Sequence, residues 1–261
     1  MKKTVAALLA LCLSLVCALA LGEIAVTKKD MQINRNLDKN VTNILVIMQD
    51  GERTDAMMIA SVNSRTGRSV MTSLDCGMTV TVPEAGEVTL GEVYALGAPK
   101  SRGLLAARTV NALLELNIST YVALDVATLP SLVEEIGTLD TWLIEEEAAI
   151  LNMEPGDASL TGEQVLQYVR IHLDSDSPEE NRSYTVFMDL LRQGMHSKSG
   201  TNLIGLGTSL LSAMDSNMNV MSAVTLFTAF QGGSDRREMR LSGEMTPEEM
   251  RGIFCWEVYE Q

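Results

Sequence analysis

Asn43-Ile44-Leu45-Val46-Ile47-Met48-Gln49-Asp50 is an unbroken apolar run that opens into polar residues. Strict alternation would mark a strand with one wet face, whereas a continuous run of this length marks a strand buried on both faces. Ala56-Met57-Met58-Ile59-Ala60-Ser61-Val62 repeats the pattern. Residues 63–68 carry turn chemistry, and Ser69-Val70-Met71-Thr72-Ser73-Leu74 reads as a third strand, antiparallel to the second. Residues 78–82 form a further short strand, stopped by Pro83.

Downstream the period changes. Residues 101–116 place Leu104, Leu105, Ala107, Val110, Leu113 and Leu114 on one stripe, a helix that covers a sheet face. Residues 120–126 return to strand character, and 128–136 form a helix with Pro130 in its first turn, where a missing N–H costs nothing. Residues 139–144 read as a strand. Thr161-Gly162-Glu163-Gln164 is a capping box that opens a helix to about Arg170. Further helices are expected at 182–193, within 203–214 and within 220–230, then a strand at 238–241 and a helix started by Thr246-Pro247. Strands alternating with helices predict a single α/β/α sandwich domain around a central mixed sheet.

The charge balance is acidic, 34 Asp plus Glu against 20 Lys plus Arg, for a net charge of −14. That excludes a nucleic-acid binder, which needs a basic face to displace counterions from phosphates. The N-terminus follows a different rule: Lys2 and Lys3 precede a stretch to Leu21 with no charge, and small residues stand at Ala18 and Ala20. This is an export leader at 1–21, either a cleaved signal peptide or a membrane anchor. Residues 22–42 read as a polar spacer, with order expected from Asn43. In an exported chain Cys76 and Cys255 are able to pair, although two buried free thiols are the default.

Chemistry gathers in two places. Asp50-Gly51-Glu52-Arg53-Thr54-Asp55 puts carboxylates and a guanidinium at a tight glycine turn between buried strands. Such a loop suits a hard cation and a phosphate together; the competing reading is a solvated loop with a local ion pair. The second place is Tyr168-Val169-Arg170-Ile171-His172-Leu173-Asp174-Ser175-Asp176 followed by Arg182, at a helix end and the next helix start. There an anion site competes with plain surface charge. His172 and His196 are the only histidines, which argues against a histidine-based zinc site, and no Gly-x-Ser-x-Gly elbow, phosphate loop or dinucleotide fingerprint occurs. The 16 methionines are core filler, or the lining of a soft apolar pocket.

These segments, with Val93-Tyr94-Ala95-Leu96-Gly97, Tyr121-Val122-Ala123-Leu124-Asp125 and above all Leu160-Thr161-Gly162-Glu163-Gln164-Val165-Leu166-Gln167-Tyr168-Val169-Arg170, fall in an order that resembles the LytR–CpsA–Psr family. The likeness runs over 43–244 and leaves 245–261 as a C-terminal helix or strand extension. The resemblance implies an α/β/α fold with an apolar tunnel for a polyprenyl pyrophosphate, whose attached glycopolymer is transferred as a phosphodiester to a peptidoglycan acceptor. It also implies Mg²⁺ at the pyrophosphate and a location at the membrane surface, on the outer face of the cytoplasmic membrane or in the cell wall. Carried over by position, it makes Asp55, Arg170 and Arg182 catalytic. Arg53, Arg170, His172 and Arg182 would hold the pyrophosphate, and Asp50, Asp55 and Asp176 the metal.

The chain departs from the family pattern in several places. Where the family has Ser-Ile-Pro-Arg-Asp, this chain reads Ser73-Leu74-Asp75-Cys76-Gly77, and where it has Lys-Ile-Asn, Thr89-Leu90-Gly91. His172 replaces the second arginine of an Arg-x-Arg pair, and Glu179 stands near another expected arginine. Removing one preorganised donor costs about 10²–10³ in rate. Two expectations follow: a glycopolymer transferase in which Asp75 and Arg68 compensate, or a module of the same fold that binds polyprenyl phosphates, or regulates envelope assembly, without turnover.

Overall fold

A computed structural model of the chain describes residues 23–31, 34, 36–171, 181–196, 214–219 and 235–260. The leader expected at 1–21, His172, Asp176, Glu179, the helix expected within 203–214 apart from Met214, and the helix expected within 220–230 lie outside these residues. No helix among the described residues is long and apolar enough to cross a membrane.

Five strands open the fold: β1 (Val41–Asp50), β2 (Arg53–Asn63), β3 (Arg68–Leu74), β4 (Thr79–Val82) and β5 (Gly86–Thr89). Then come α1 (Val93–Leu96), α2 (Arg102–Leu114), β6 (Thr120–Asp125), α3 (Leu129–Ile136), β7 (Leu139–Leu143), α4 (Glu145–Leu151), β8 (Gly156–Leu160) and α5 (Gly162–Val169). The remainder is α6 (Arg182–His196), β9 (Met214–Ser216), β10 (Asp235–Leu241) and α7 (Pro247–Tyr259). Among the described residues, six strands make one mixed sheet in the order β10-β3-β2-β1-β6-β9; β4-β5 and β7-β8 are separate two-stranded sheets.

β1 lies between antiparallel β2 and parallel β6, which is why its sequence is apolar without a break. Leu45 and Ile47 point to one face, where Met57, Ile59, Val70, α2 and α7 pack with them. Ile44, Val46 and Met48 point to the other, against Met58, Ala60, α3, α5 and the β7-β8 sheet. The result is the three-layer arrangement that the period changes predict. The capping box of α5 forms, with the Thr161 N–H donating to Gln164 Oε1 at 2.9 Å, and Thr246 and Glu249 do the same for α7.

Several elements differ from expectation. The segment read as a spacer is partly core: Ile24 and Val26 are buried, and Ile24 bridges the chain after α1 through Ile24 N to Leu96 O and Ala98 N to Ile24 O, both 2.9 Å. Exposed Glu23, Ala25 and Thr27 alternate with them, so this is a short edge pairing masked by polar surroundings. The C-terminal extension is also core, since Met250, Phe254 and Val258 of α7 are buried. Met214 opens β9, paired antiparallel with β6, instead of ending a helix.

Candidate functional site

The loop expected at 50–55 is shorter than its charge suggests. Asp50 pairs with Arg53 across a two-residue turn, and Gly51 takes φ +64°, a left-handed value that glycine adopts without steric cost. Arg53, Thr54 and Asp55 therefore belong to β2. The register jumps from Met48↔Ala56 to Gln49↔Thr54, so Asp55 is the extra residue of a β-bulge. Bulges re-aim a side chain at a sheet end, and here the end is also where parallel β1 and β6 finish together, Gln49 opposite Asp125. Crevices beyond the carboxyl ends of parallel strands are where α/β sheets bind ligands.

Arg170, at the end of α5, closes onto this end. Its Nε and Nη2 donate to the two oxygens of Asp50 at 2.7 Å each, a bidentate pair with side chains 47% and 31% exposed. The Arg170 bond, with smaller help from Arg53, holds the Asp50 carboxyl below the ordinary carboxylate range. The bond to Asp50, with the nearby charges of Asp50, Asp125 and Asp55, pushes the Arg170 guanidinium further up. Arg53 lies 3.2 Å from Asp55. Asn181 anchors the bulge: its Nδ2 donates to the Asp55 carbonyl at 2.6 Å, while its Oδ1 accepts from Tyr184 N at 2.9 Å and caps α6.

Arg182 stands differently. It is buried, its Nε donates to Glu147 at 2.6 Å, and its Nη1 donates to the Ile171 carbonyl at 3.0 Å. Asp50, Arg53, Asp55, Arg170 and Arg182 are thus brought to one end of the sheet, while His172 and Asp176 lie outside the described residues. Arg68 is at the opposite end of β3, paired with Asp235 and bonded to the Glu257 carbonyl. It is in no position to replace the missing arginine. Asp75 accepts from Gly77 N at 2.8 Å and Gly243 N at 3.1 Å, so its carboxylate braces its own turn instead of facing a ligand.

Beside the bulge lies a cleft of about 630 Å³, lined among others by Glu52, Arg53, Thr54, Asp55, Cys76 and Glu92. The altered Asp75-Cys76-Gly77 and Thr89-Leu90-Gly91 segments contribute to its wall, which is why acidic groups outnumber cations there. Burial above all, with the charges of Asp75 and Asp55, pushes the Cys76 thiol up to about 12, so it is no nucleophile. Cys76 and Cys255 are both free.

Magnesium was expected at Asp50, Asp55 and Asp176. Oxygen ligands suit it, but both Asp50 oxygens are on Arg170 and Asp55 faces Arg53. No group of three or more His, Cys, Asp or Glu placed to hold a metal occurs among the described residues. Asp176 lies outside the described residues, so Asp50 and Asp55 are the two of the three expected ligands that the structure places, and the chemistry proposed for this site uses no divalent cation.

Three residues of this end escaped sequence reasoning as site residues. Asp125 ends an apolar strand as Asp50 does, and that parallel was its signal. Asn181 immediately precedes a helix, the usual cap position. Glu147 carried no signal, because its partner is 35 residues away.

The LytR_cpsA_psr family model matches residues 20–261. Biofilm regulatory protein A of Streptococcus mutans is 27% identical over 266 residues, covering 87% of this chain and 64% of that protein. A protein of Enterococcus faecalis named polyisoprenyl-teichoic acid–peptidoglycan teichoic acid transferase TagU is 26% identical over 204 residues, covering 73% of this chain and 64% of its own length. The chain thus spans under two thirds of either relative. Among solved structures, TagT bound to LIIa-WTA superposes with a TM-score of 0.71 at 16% identity, covering 90% of this chain and 99% of that one. YwtF (TagT) with bound octaprenyl pyrophosphate lipid gives 0.64 at 18%, covering 92% and 98%. At such identities the structures show a shared fold.

Proposed function

Since the chain belongs to the LytR_cpsA_psr family, we propose that it is an exported phosphotransferase that moves a glycopolymer from a polyprenyl pyrophosphate to a peptidoglycan hydroxyl. The observation that carries this is the cluster of Asp50, Arg53, Asp55 and Arg170 at the joint end of β1, β2 and α5. Support comes also from the relative named as a teichoic acid transferase and the neighbour carrying octaprenyl pyrophosphate.

In this reaction the acceptor oxygen bonds to the saccharide-bearing phosphorus. The bond from that phosphorus to the bridging oxygen breaks, and polyprenyl phosphate leaves with the electron pair. The hydroxyl proton passes to a carboxylate, for which Asp55 at the bulge is the candidate. Arg170 and Arg53, both at the surface, hold the diphosphate oxygens and take up the charge that develops on the leaving phosphate. The prenyl chain would pass into the methionine-rich layer of Met48, Met58 and Met71, with Met188, Met214 and Met218 packed against it, whose unbranched side chains can make room for it. The enzyme works on the outer face of the cytoplasmic membrane.

A second reading rests on the acidic cleft. With Glu52, Asp55 and Glu92 lining it and Arg53 the one cation among its lining residues, the same fold binds polyprenyl phosphates without transfer. Incubation with a polyprenyl-pyrophosphate-linked saccharide and peptidoglycan fragments, read by mass spectrometry, separates the two. Phosphodiester-linked product with release of polyprenyl phosphate is expected; tight binding with no product establishes the second reading instead.

A further inference from the structure

Glu147 lies in α4, outside the segments that bear the candidate site, yet its carboxylate is buried with Arg182, each side chain 7% exposed. Its two oxygens have separate tasks. Oε1 accepts from Arg182 Nε at 2.6 Å, while Oε2 accepts from Ile144 N at 3.1 Å and closes the first turn of α4. Arg182 in turn donates to the carbonyl of Ile171 at 3.0 Å. Ile171 directly follows Arg170, where α5 ends in a tight turn, Ile171 N to Tyr168 O at 3.1 Å. Carbonyls past a helix end lack intrahelical partners, and a guanidinium is well suited to them.

Asn181 completes the connection, joining the start of α6 to the Asp55 carbonyl at 2.6 Å. The dipeptide Asn181-Arg182 therefore links the Asp55 bulge, the turn behind Arg170 and the first turn of α4. A guanidinium that grips a ligand must present its N–H edges at the surface, as Arg170 does at 47% exposure; Arg182 at 7% does not. Burying Arg182 without a counter-charge would be strongly unfavourable, and Glu147, itself buried, supplies one.

We propose that Glu147 is a positioning residue, and that the Glu147–Arg182 pair acts on the ligand only through the Arg170–Ile171 turn it holds in place. This rests on the reading of Arg170 as a diphosphate-binding group. The pair aims Arg170, and Arg182 does not touch the diphosphate.

The test has two independent arms on the full chain. Hydrogen exchange of peptides covering 163–171 is compared in wild type, Glu147→Gln and Arg182→Lys, which loses the Ile171 bond while keeping the charge. Both variants are expected to exchange about tenfold or more faster there, with β1 unchanged; unchanged exchange in a folded variant overturns the proposal without reference to any ligand. In the second arm, farnesyl diphosphate is titrated by calorimetry. Removing a carboxylate near an anion strengthens binding by charge alone, so a loss of about tenfold or more in Glu147→Gln reports lost aim. Addition of Arg182→Gln to Glu147→Gln is expected to cost little further, because the two act as a unit. Unchanged or tighter binding in Glu147→Gln, or fully additive losses, overturns the proposal. A wild type that ignores the diphosphate counts against the functional reading alone, and the exchange arm then decides the positioning role.

Discussion

Replacing Arg182 by Met tests the energetics of this end of the molecule. Met replaces the arginine stem and leaves only the space of the guanidinium head, while Glu147 loses its counter-charge at 7% exposure and the Ile171 carbonyl loses a donor. Breaking a buried pair by removing one partner costs about 3–5 kcal/mol. For a domain of this size that corresponds to a fall in Tm of roughly 6–20 °C, at about 2–4 °C per kcal/mol. The comparison is Arg170→Met. Its pair with Asp50 is 47% and 31% exposed, and a pair so open to water contributes about 0–1 kcal/mol. Urea unfolding of both variants, with midpoints and slopes measured, gives the contrast directly. Adding Glu147→Gln to Arg182→Met should recover part of the loss, since a neutral amide can still accept from Ile144 N. A cost for Arg182→Met no larger than that for Arg170→Met would refute the assignment of Glu147 and Arg182 as a buried structural pair.

Three further outcomes are expected. Arg170 lowers the Asp50 carboxyl, so its contribution to stability is complete above the unfolded value and is lost as pH falls through the lower folded one. NMR titration should show Asp50 moving up toward the ordinary carboxylate range in Arg170→Ala, and identical titrations would mean that the pair does not persist in solution. Gly103→Ala would put a methyl 2.1 Å from the Tyr121 ring, which is held by its hydroxyl bond to Asp215. The urea midpoint should fall by the equivalent of about 1–3 kcal/mol or more, and an unchanged midpoint would contradict the packing. Cys76, with its thiol near 12, carries on the order of a thousandfold less thiolate at pH 8 than an ordinary cysteine. Mass mapping should find it unalkylated by iodoacetamide in the native protein and modified in urea; rapid native alkylation would show the site open.

The central strands were legible because burial on both faces leaves a continuous apolar run, as at Ile44–Met48. The helix start at Thr161 was legible because a capping box is local chemistry. The site was readable only up to its charges. Asp50 and Arg170 stand out in sequence, but their pairing across 120 residues is a property of the fold. Glu147 looks like one of three acids in a solvated helix turn until Arg182 arrives beside it. β8 was missed because exposed Asp157 and Ser159 alternate with buried Ala158 and Leu160, a pattern too short to read. Arg68 shows the converse error, since nearness in sequence to the altered loop suggested a role that the strand direction forbids.

The most direct measurement is calorimetric binding of a polyprenyl-pyrophosphate-linked saccharide to wild type, Arg170→Ala and Arg65→Ala, whose exposed guanidinium near Asp38 lies at the far end of the sheet. Wild type and Arg65→Ala should bind alike, while Arg170→Ala loses about 10-fold to 100-fold, the worth of a charge-assisted contact. Absence of binding by wild type, or equal binding by Arg170→Ala, would contradict a diphosphate site built around Asp50 and Arg170.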